Sequence, residues 1–149
     1  MKCIIQRVSE ASVNVNNNIV GEIENGFLIL LGIEANDSEE DLHKILKKII
    51  EMRIFPNDDG KFDHSLIDIK GDLLVVSQFT LMADCKKGRR PSFISAASPE
   101  FAKSMCDQFV AAAKMAPIGK VETGEFGADM KVSLINDGPV TIPLDSTSL

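Results

Sequence analysis

The sequence is poor in the residues that commonly carry enzyme chemistry. It has no tryptophan, no tyrosine and only two histidines among 149 residues. Neither histidine stands near a pattern typical of a serine or cysteine nucleophile, and the chain has no G-x-S-x-G, P-loop, G-x-G-x-x-G or H-E-x-x-H motif. These absences disfavour a conventional catalytic triad and the common cofactor folds. If the protein is an enzyme, we expect catalysis from substrate positioning and backbone hydrogen-bond donors.

Metal-binding and disulfide patterns are also missing. Cys3, Cys85 and Cys106 are odd in number and far apart, so they predict reduced thiols and neither a disulfide framework nor a zinc site. Aspartates occur between residues 58 and 68, but the closing glutamate and the flanking helix pair of an EF-hand are absent. We therefore expect no metal and no cofactor.

No apolar run approaches the ~18 residues that a membrane-spanning helix needs. The chain begins directly with a strand pattern and shows neither a signal peptide nor a transit peptide. The default expectation is a cytoplasmic protein without membrane contact.

The charge balance restricts possible nucleic-acid partners. A net charge of −6 argues against broad binding to DNA, because such binding depends on a basic surface. Four positive charges nevertheless fall within five residues, at Lys86, Lys87, Arg89 and Arg90. A nucleic-acid partner would have to be held by this basic loop, which suits a single phosphate-rich end.

Strand patterns predominate and predict one α+β domain over residues 1–149. About seven strands are expected from apolar runs bounded by turn residues, among them 2–15, 27–33 and 73–81. Two amphipathic helices are expected, one to about Arg53 and one starting at Ser98-Pro99-Glu100. There are no repeats and no low-complexity linker. We predict a curled or barrel-like, mostly antiparallel sheet with two main helices.

The rest of the predicted fold is arranged around the stretch Leu73–Leu81. Four aliphatic residues in a row predict a strand buried on both faces, and the strand turns polar at Ser77 and Gln78. The basic loop follows directly. Two interpretations are open from these residues alone: an anion-binding polar pocket, or a core strand that ends in an ordinary solvated loop.

Four short motifs together resemble the D-aminoacyl-tRNA deacylases. Each motif alone is weak, but they occur in the family's order and spacing, from Met1 to about Leu144. They are Gln6-Arg7-Val8, Ser77-Gln78-Phe79-Thr80-Leu81, Arg90-Pro91-Ser92-Phe93 and Asn136-Asp137-Gly138-Pro139-Val140-Thr141. Cys85 and Arg89 depart from the residues expected in the basic loop, and Pro56 to His64 matches no family stretch.

The resemblance implies a homodimer that hydrolyses the ester between a D-amino acid and the terminal adenosine of tRNA, without a cofactor. Gly138 and Pro139 would form a cis peptide bond and enter the partner subunit's pocket. The side chain of an L-residue would collide with this rigid Gly-Pro pair, so selectivity would come from a steric clash. Glycine has no side chain to clash, and some hydrolysis of glycyl-tRNA is expected.

The resemblance places catalysis at Ser77, Gln78, Phe79 and Thr80. We expect the backbone N–H groups of Phe79 and Thr80 to hold the carbonyl oxygen, while Ser77 and Gln78 order the loop or the substrate. The Thr80 hydroxyl could act as the nucleophile, but no base is visible to activate it. Water or the neighbouring ribose hydroxyl is therefore favoured for the proton chemistry.

The remaining expected contacts are with the acceptor end of tRNA. Lys86, Lys87, Arg89 and Arg90 would meet phosphates, and Phe93 would help to shape the adenosine pocket. The alternative hypothesis is a non-catalytic binder of RNA ends or nucleotides on the same fold. Loss of the ester from D-aminoacyl-tRNA alone, and not from L-aminoacyl-tRNA, would distinguish the two.

Overall fold

The structure is a computed structural model and describes residues 1–149. The strands are β1 (Lys2–Val15), β2 (Asn18–Ile23), β3 (Gly26–Gly32), β4 (Phe55–Pro56), β5 (Phe62–His64), β6 (Asp72–Ser77), β7 (Val121–Thr123) and β8 (Lys131–Asp145). The α-helices are α1 (Glu39–Glu51) and α2 (Pro99–Lys114), and short 3-10 helices cover Phe79–Met82 and Ser146–Ser148. The predicted α+β class with two main helices is confirmed.

One six-stranded sheet curls into a nearly closed barrel. Strand β1 pairs antiparallel with β2, β3 and β8, whereas β3, β6 and β7 run parallel to one another. Strand β7 approaches β2, at the far end of the strand order. A Cβ atom added to Gly21 would lie 2.4 Å from the carbonyl oxygen of Thr123, so only glycine allows this approach. The expected barrel-like, mostly antiparallel sheet is confirmed.

The two apolar faces of β3 and β6 explain why these strands are continuous hydrophobic runs. One face, which includes Ile29 and Val75, packs in the larger core with α1 and α2. The opposite face, which includes Leu28 and Leu74, packs in a second core of eight buried residues. Strands covered on both faces carry no polar alternation, as the sequence indicated.

Some element boundaries differ from the prediction. The strand predicted over 73–81 ends at Ser77, and a 3-10 helix follows. The residues around Asp68, whose apolar neighbours Ile67 and Ile69 give a short strand pattern, form a turn. The Asp68 carboxylate accepts hydrogen bonds there from the Ser65 amide at 2.8 Å and the Ser65 hydroxyl at 2.7 Å. Helix α1 ends at Glu51, before Arg53.

The three cysteines are free, as expected: Cys3 and Cys106 are buried and Cys85 is exposed. None of the helices combines the length and the hydropathy required to cross a bilayer.

Candidate active site

A cavity of about 510 Å³ opens at the carboxyl ends of β3 and β6, where their apolar runs stop. Polar groups of Ser77 and Gln78 lie at its edge, beside the ring of Phe79. The rest of the wall is mostly apolar. It is formed by Leu31, Ile33, Val76, Ala96, Ala97, Pro99, Ala102, Cys106, Phe126, Gly127, Ala128, Met130 and Val132. An apolar cleft with a few polar groups on one side is typical of a small-molecule or nucleoside site.

The polar edge of the cavity is set by the change from strand to 3-10 helix. The first hydrogen bond within this helix runs from the Leu81 amide to the Gln78 carbonyl, at 3.3 Å. The amides of Phe79 and Thr80 precede this bond, so no carbonyl of their own helix can accept from them. The Gln78 side-chain amide donates to the Thr80 hydroxyl, which links the two polar side chains.

Two aromatic rings stand beside this turn. The rings of Phe79 and Phe93 meet edge to face with centroids 5.1 Å apart, and the Phe79 side chain is 59% exposed. Phe93 is held near by its neighbours: the Ser95 hydroxyl donates to the Met82 carbonyl at 3.3 Å, and the Ala97 amide donates to the Ile33 carbonyl at 3.0 Å. The structure thus brings Phe93 next to the Ser77–Thr80 segment.

The basic loop lies between the 3-10 helix of Phe79–Met82 and Phe93, whose ring contacts Phe79. Asp84 and Ser92 exchange two backbone hydrogen bonds of 2.8 and 2.9 Å, which close the loop between them. The Lys86 amide also donates to the Asp84 carboxylate at 2.9 Å. The four cations of the loop are exposed, and none forms an ion pair. Their charge is therefore available to an outside anion.

The Gly138–Pro139 peptide bond is cis, and the pair is exposed at the surface. Strand β8 separates from β1 here, because Asn136 pairs with Val8 while Thr141 pairs with Gln6, leaving four residues on β8 opposite one on β1. The Asn136 side chain closes this bulge: its oxygen accepts from the Val140 amide at 3.0 Å and its nitrogen donates to the Thr141 hydroxyl at 2.9 Å. We call residues 137–140 the bulge loop.

Arg7 supports the bulge loop from β1, a role that its place in the Gln6-Arg7-Val8 motif did not predict. Its side chain is buried, with Nε donating to the Asp137 carbonyl at 2.9 Å and Nη1 donating to the Ile54 carbonyl at 2.6 Å. A Cβ atom on Gly138 would lie 2.8 Å from Arg7 Nη2. The sequence signal for this supporting role was one arginine within a strand of otherwise alternating apolar residues.

The structure does not bring all predicted site residues together within one chain. Neither Gly138 nor Pro139 lines the cavity beside Ser77–Phe79. The bulge loop lies next to Arg7 and Ile54, on the β1–β8 side of the sheet. Within one subunit, Gly138 and Pro139, which are expected to select the handedness of the amino acid, are therefore separate from the residues expected to bind the ester.

The cavity offers neither an activated thiol nor a cluster of metal-ligating side chains. Burial, and secondarily the charge of Asp107, raise the pKa of Cys106 to about 11, with a smaller opposing effect from Lys103. The Cys106 thiol is therefore protonated near neutral pH and is a poor nucleophile. Nowhere do three or more His, Cys, Asp or Glu side chains gather closely enough to hold a metal ion.

Comparison with known proteins decides the family. Residues 4–145 match the family described as D-Tyr-tRNA(Tyr) deacylase. The chain belongs to this family. A D-aminoacyl-tRNA deacylase of Thermosipho africanus is 55% identical over 146 residues, covering 98% of this chain and 97% of that protein. The enzyme of the same name from Desulfotalea psychrophila is 54% identical over 149 residues, covering 100% of this chain and 99% of the relative.

Two solved structures have the same fold as this chain. A structure titled c-Myc DNA Unwinding Element Binding Protein is 37% identical, with a TM-score of 0.91 over 97% of this chain and 98% of that one. A structure described as a probable eukaryotic D-amino acid tRNA deacylase has a TM-score of 0.81 over 96% and 97% of the two chains. At 17% identity, this second likeness shows the shared fold alone.

Proposed function

We infer that this chain hydrolyses the ester bond of D-aminoacyl-tRNA, releasing the free D-amino acid and tRNA. The observation that carries this inference is the deacylase family match over residues 4–145, in a chain whose matching motif forms the polar edge of a cavity. An aminoacyl ester next to a ribose 2′-hydroxyl is already reactive, so a site that fixes its geometry is sufficient. Such positioning supplies up to roughly 7–11 kcal/mol of the barrier.

The proposed oxyanion site is the first turn of the 3-10 helix. The Phe79 and Thr80 amides, which lack intrahelical acceptors, receive the carbonyl oxygen as it gains negative charge. Water attacks the carbonyl carbon, the bond from that carbon to the ribose 3′ oxygen breaks, and the ribose 2′-hydroxyl or a second water carries the proton lost by the attacking water to the departing 3′ oxygen. Ser77 orders the end of β6, and the Gln78–Thr80 hydrogen bond holds the turn in shape.

We propose that the active unit is a homodimer in which each bulge loop enters the partner's cavity. In one chain Gly138 and Pro139 are exposed and do not line the cavity, so they can act on substrate only in another copy. There, the rigid pair leaves room for the amino group and hydrogen of a D-residue, and an L side chain collides with it. Glycyl-tRNA escapes this collision and is cleaved as well.

The tRNA end is proposed to lie across the basic loop and the two rings. Lys86, Lys87, Arg89 and Arg90 neutralise acceptor-end phosphates, while Phe79 and Phe93 offer aromatic surface to the terminal adenine. We propose that residues 1–149 act as one domain, supported by the pairing of the first strand with β8. We place the protein in the cytoplasm, where aminoacyl-tRNA is its substrate.

The test is single-turnover incubation with D-tyrosyl-tRNA, L-tyrosyl-tRNA and glycyl-tRNA. We expect rapid ester loss from the D-substrate, slower loss from the glycyl substrate and spontaneous hydrolysis only of the L-substrate. Equal cleavage of the D- and L-esters would overturn the chiral mechanism. An enzyme that spares glycyl-tRNA completely would contradict the steric explanation of selectivity.

The unpaired cations of the basic loop also suit the alternative function, a non-catalytic binder of RNA ends or nucleotides. Binding of D-tyrosyl-tRNA without any ester loss would favour that alternative. Such a result would overturn the proposed catalysis and leave the proposed RNA contact in place.

A further inference from the structure

The hairpin of β4 and β5 places one phenylalanine inside the protein and one outside. Phe55 on β4 is buried and stacks on Phe27 with centroids 4.8 Å apart, which fixes the hairpin to the core. Phe62 on β5 is 57% exposed, although leaving so large an apolar side chain in water is unfavourable. Phe62 therefore has no explanation in the core or in the proposed chemistry.

The contact that Phe62 makes is with Arg7. The guanidinium carbon of Arg7 lies 5.6 Å from the centroid of the Phe62 ring. This is within the ~6 Å at which a ring attracts a cation. Hydrogen bonds to the Ile54 and Asp137 carbonyls occupy the edges of the same guanidinium. The ring thus covers a cation whose donors are directed at the bulge loop and at the end of the α1–β4 connection.

The Asp137 carboxylate lies beside the same guanidinium and is open to water. It lies 3.6 Å from Arg7 Nε and is 53% exposed, so it competes with the Asp137 carbonyl for the same donor. An aromatic ring beside the pair excludes solvent from one side and strengthens the remaining hydrogen bonds. Removing the ring would let water reach the guanidinium and would loosen the Arg7–Asp137 bond.

We propose that Phe62 is a positioning residue for the bulge loop. By covering the Arg7 guanidinium, Phe62 holds the donor that fixes Asp137, and so fixes where Gly138 and Pro139 stand relative to the substrate. This inference rests on the proposed function, in which the bulge loop excludes L-aminoacyl groups and accepts D-aminoacyl groups. It assigns a role to the β4–β5 hairpin, which acts on substrate only through Arg7.

The fold itself depends little on Phe62, which makes a clean test possible. The side chain is more than half exposed, and the hairpin keeps its Phe55 anchor. The Arg53 guanidinium also holds β5, through the Asp63 carbonyl and carboxylate. Phe62→Leu should therefore leave the melting temperature nearly unchanged while removing the ring face.

The experiment compares Phe62→Leu and Phe62→Tyr with the unmodified protein on D-tyrosyl- and L-tyrosyl-tRNA. We expect Phe62→Leu to lower the ratio of D-tyrosyl to L-tyrosyl ester-loss rates about fivefold, which corresponds to the loss of one partly exposed cation–ring contact. The decrease should appear in kcat for D-tyrosyl-tRNA, with KM for this tRNA unchanged. Phe62→Tyr, which keeps the ring, should restore the ratio, and Lys61→Ala on the same hairpin should not alter it.

A nuclear magnetic resonance measurement tests the contact directly. The chain has only four arginines, at positions 7, 53, 89 and 90, so the Arg7 Nε–H signal can be assigned by substitution of the other three. Ring proximity should shift this signal, Phe62→Leu should abolish the shift and speed its exchange with water, and Phe62→Tyr should preserve it.

The outcomes separate this inference from the proposed function. If the unmodified protein fails to cleave D-tyrosyl-tRNA, the proposed function is wrong, and the inference falls with it even where the Arg7 signal shows the contact. If the unmodified protein is D-selective but Phe62→Leu keeps its selectivity, the positioning role alone is overturned. Should Phe62→Leu lower the melting temperature, Phe62→Met provides a second variant without a ring, and an unchanged D-to-L ratio in it would equally overturn the role.

Discussion

The backbone amide of Gln78 donates to the carbonyl of Leu31 at 2.8 Å, just beyond the last paired residues of β3 and β6. From this point the chain leaves the sheet and turns into the 3-10 helix that carries Phe79 and Thr80. The hydrogen bond therefore fixes the proposed oxyanion donors to the most buried part of the fold. Backbone donors held in this way need no reorganisation during the reaction.

Thr80→Ala should remain active. The substitution removes the hydroxyl that accepts from Gln78 but keeps the Thr80 amide, so we expect single-turnover cleavage of D-tyrosyl-tRNA to fall by less than about tenfold. Thr80→Ser, which keeps the hydroxyl, is the matched control. Complete loss of cleavage in the alanine variant, with tRNA binding intact, would refute the backbone mechanism and favour Thr80 as nucleophile.

Replacing Arg89 and Arg90 together by alanine should weaken tRNA binding in a salt-dependent way. Both are exposed and unpaired, and each lost phosphate contact reduces the slope of log affinity against log salt by about 0.7–0.9. We expect the slope to decrease by about 1.5 for the pair. Lys47→Ala with Lys48→Ala on α1 removes the same charge elsewhere, and an equal decrease there would contradict a specific contact.

Gly138→Ala should be more destabilising than an alanine at another glycine with a positive φ. Gly138 has φ +133°, and a new Cβ would lie 2.8 Å from both Arg7 Nη2 and Val140 Cγ2. We expect the free energy of unfolding in urea to fall by about 1–3 kcal/mol. Gly60 has φ +74° and no atom within 4 Å of the added Cβ, so Gly60→Ala measures the backbone strain alone. Equal losses in both variants would show that the contact with Arg7 is unimportant.

One thiol of the native protein should react rapidly with a disulfide reagent at pH 8. Burial raises the pKa of Cys3 to about 12 and, with the charge of Asp107, that of Cys106 to about 11. Both thiols are therefore protonated at pH 8, and the thiolate is the reactive form. Cys85 is exposed, and Cys85→Ser should abolish the rapid phase. Two rapid thiols would indicate that the cavity wall at Cys106 opens.

The N-terminus of α1 should contribute stability that is lost in acid. Ser38 and Asp41 form a capping box, whose hydrogen bonds lower the pKa of Asp41 to about 2. A lowered pKa means that the contribution is complete above the ordinary pKa near 4 and disappears as the pH falls towards 2. Ser38→Ala should cost about 1 kcal/mol at pH 7 in urea unfolding. The difference from the unmodified protein should shrink between pH 4 and pH 2, and a constant difference would contradict the pKa shift.

The sequence alone determined the fold class, the family and the residues at the polar end of the central strand. The continuous apolar runs of β3 and β6 require cover on both faces, and the capping residues of α1 and α2 are local in sequence. These properties act between near neighbours, so residue order is enough to predict them. The turn between β1 and β2 is local in the same way, because Asn16 and Asn17 have positive φ, which asparagine tolerates better than most residues.

Only the tertiary structure decided how distant residues meet. The end of β6 at Ser77 depends on pairing with β3, and the closure of the barrel depends on the approach of Thr123 to Gly21. Arg7 reaches Asp137 and Ile54 across 130 and 47 residues of sequence, and no local pattern encodes such contacts. Packing of non-local segments therefore decided which side chains support the bulge loop, and it placed that loop outside the cavity of its own chain.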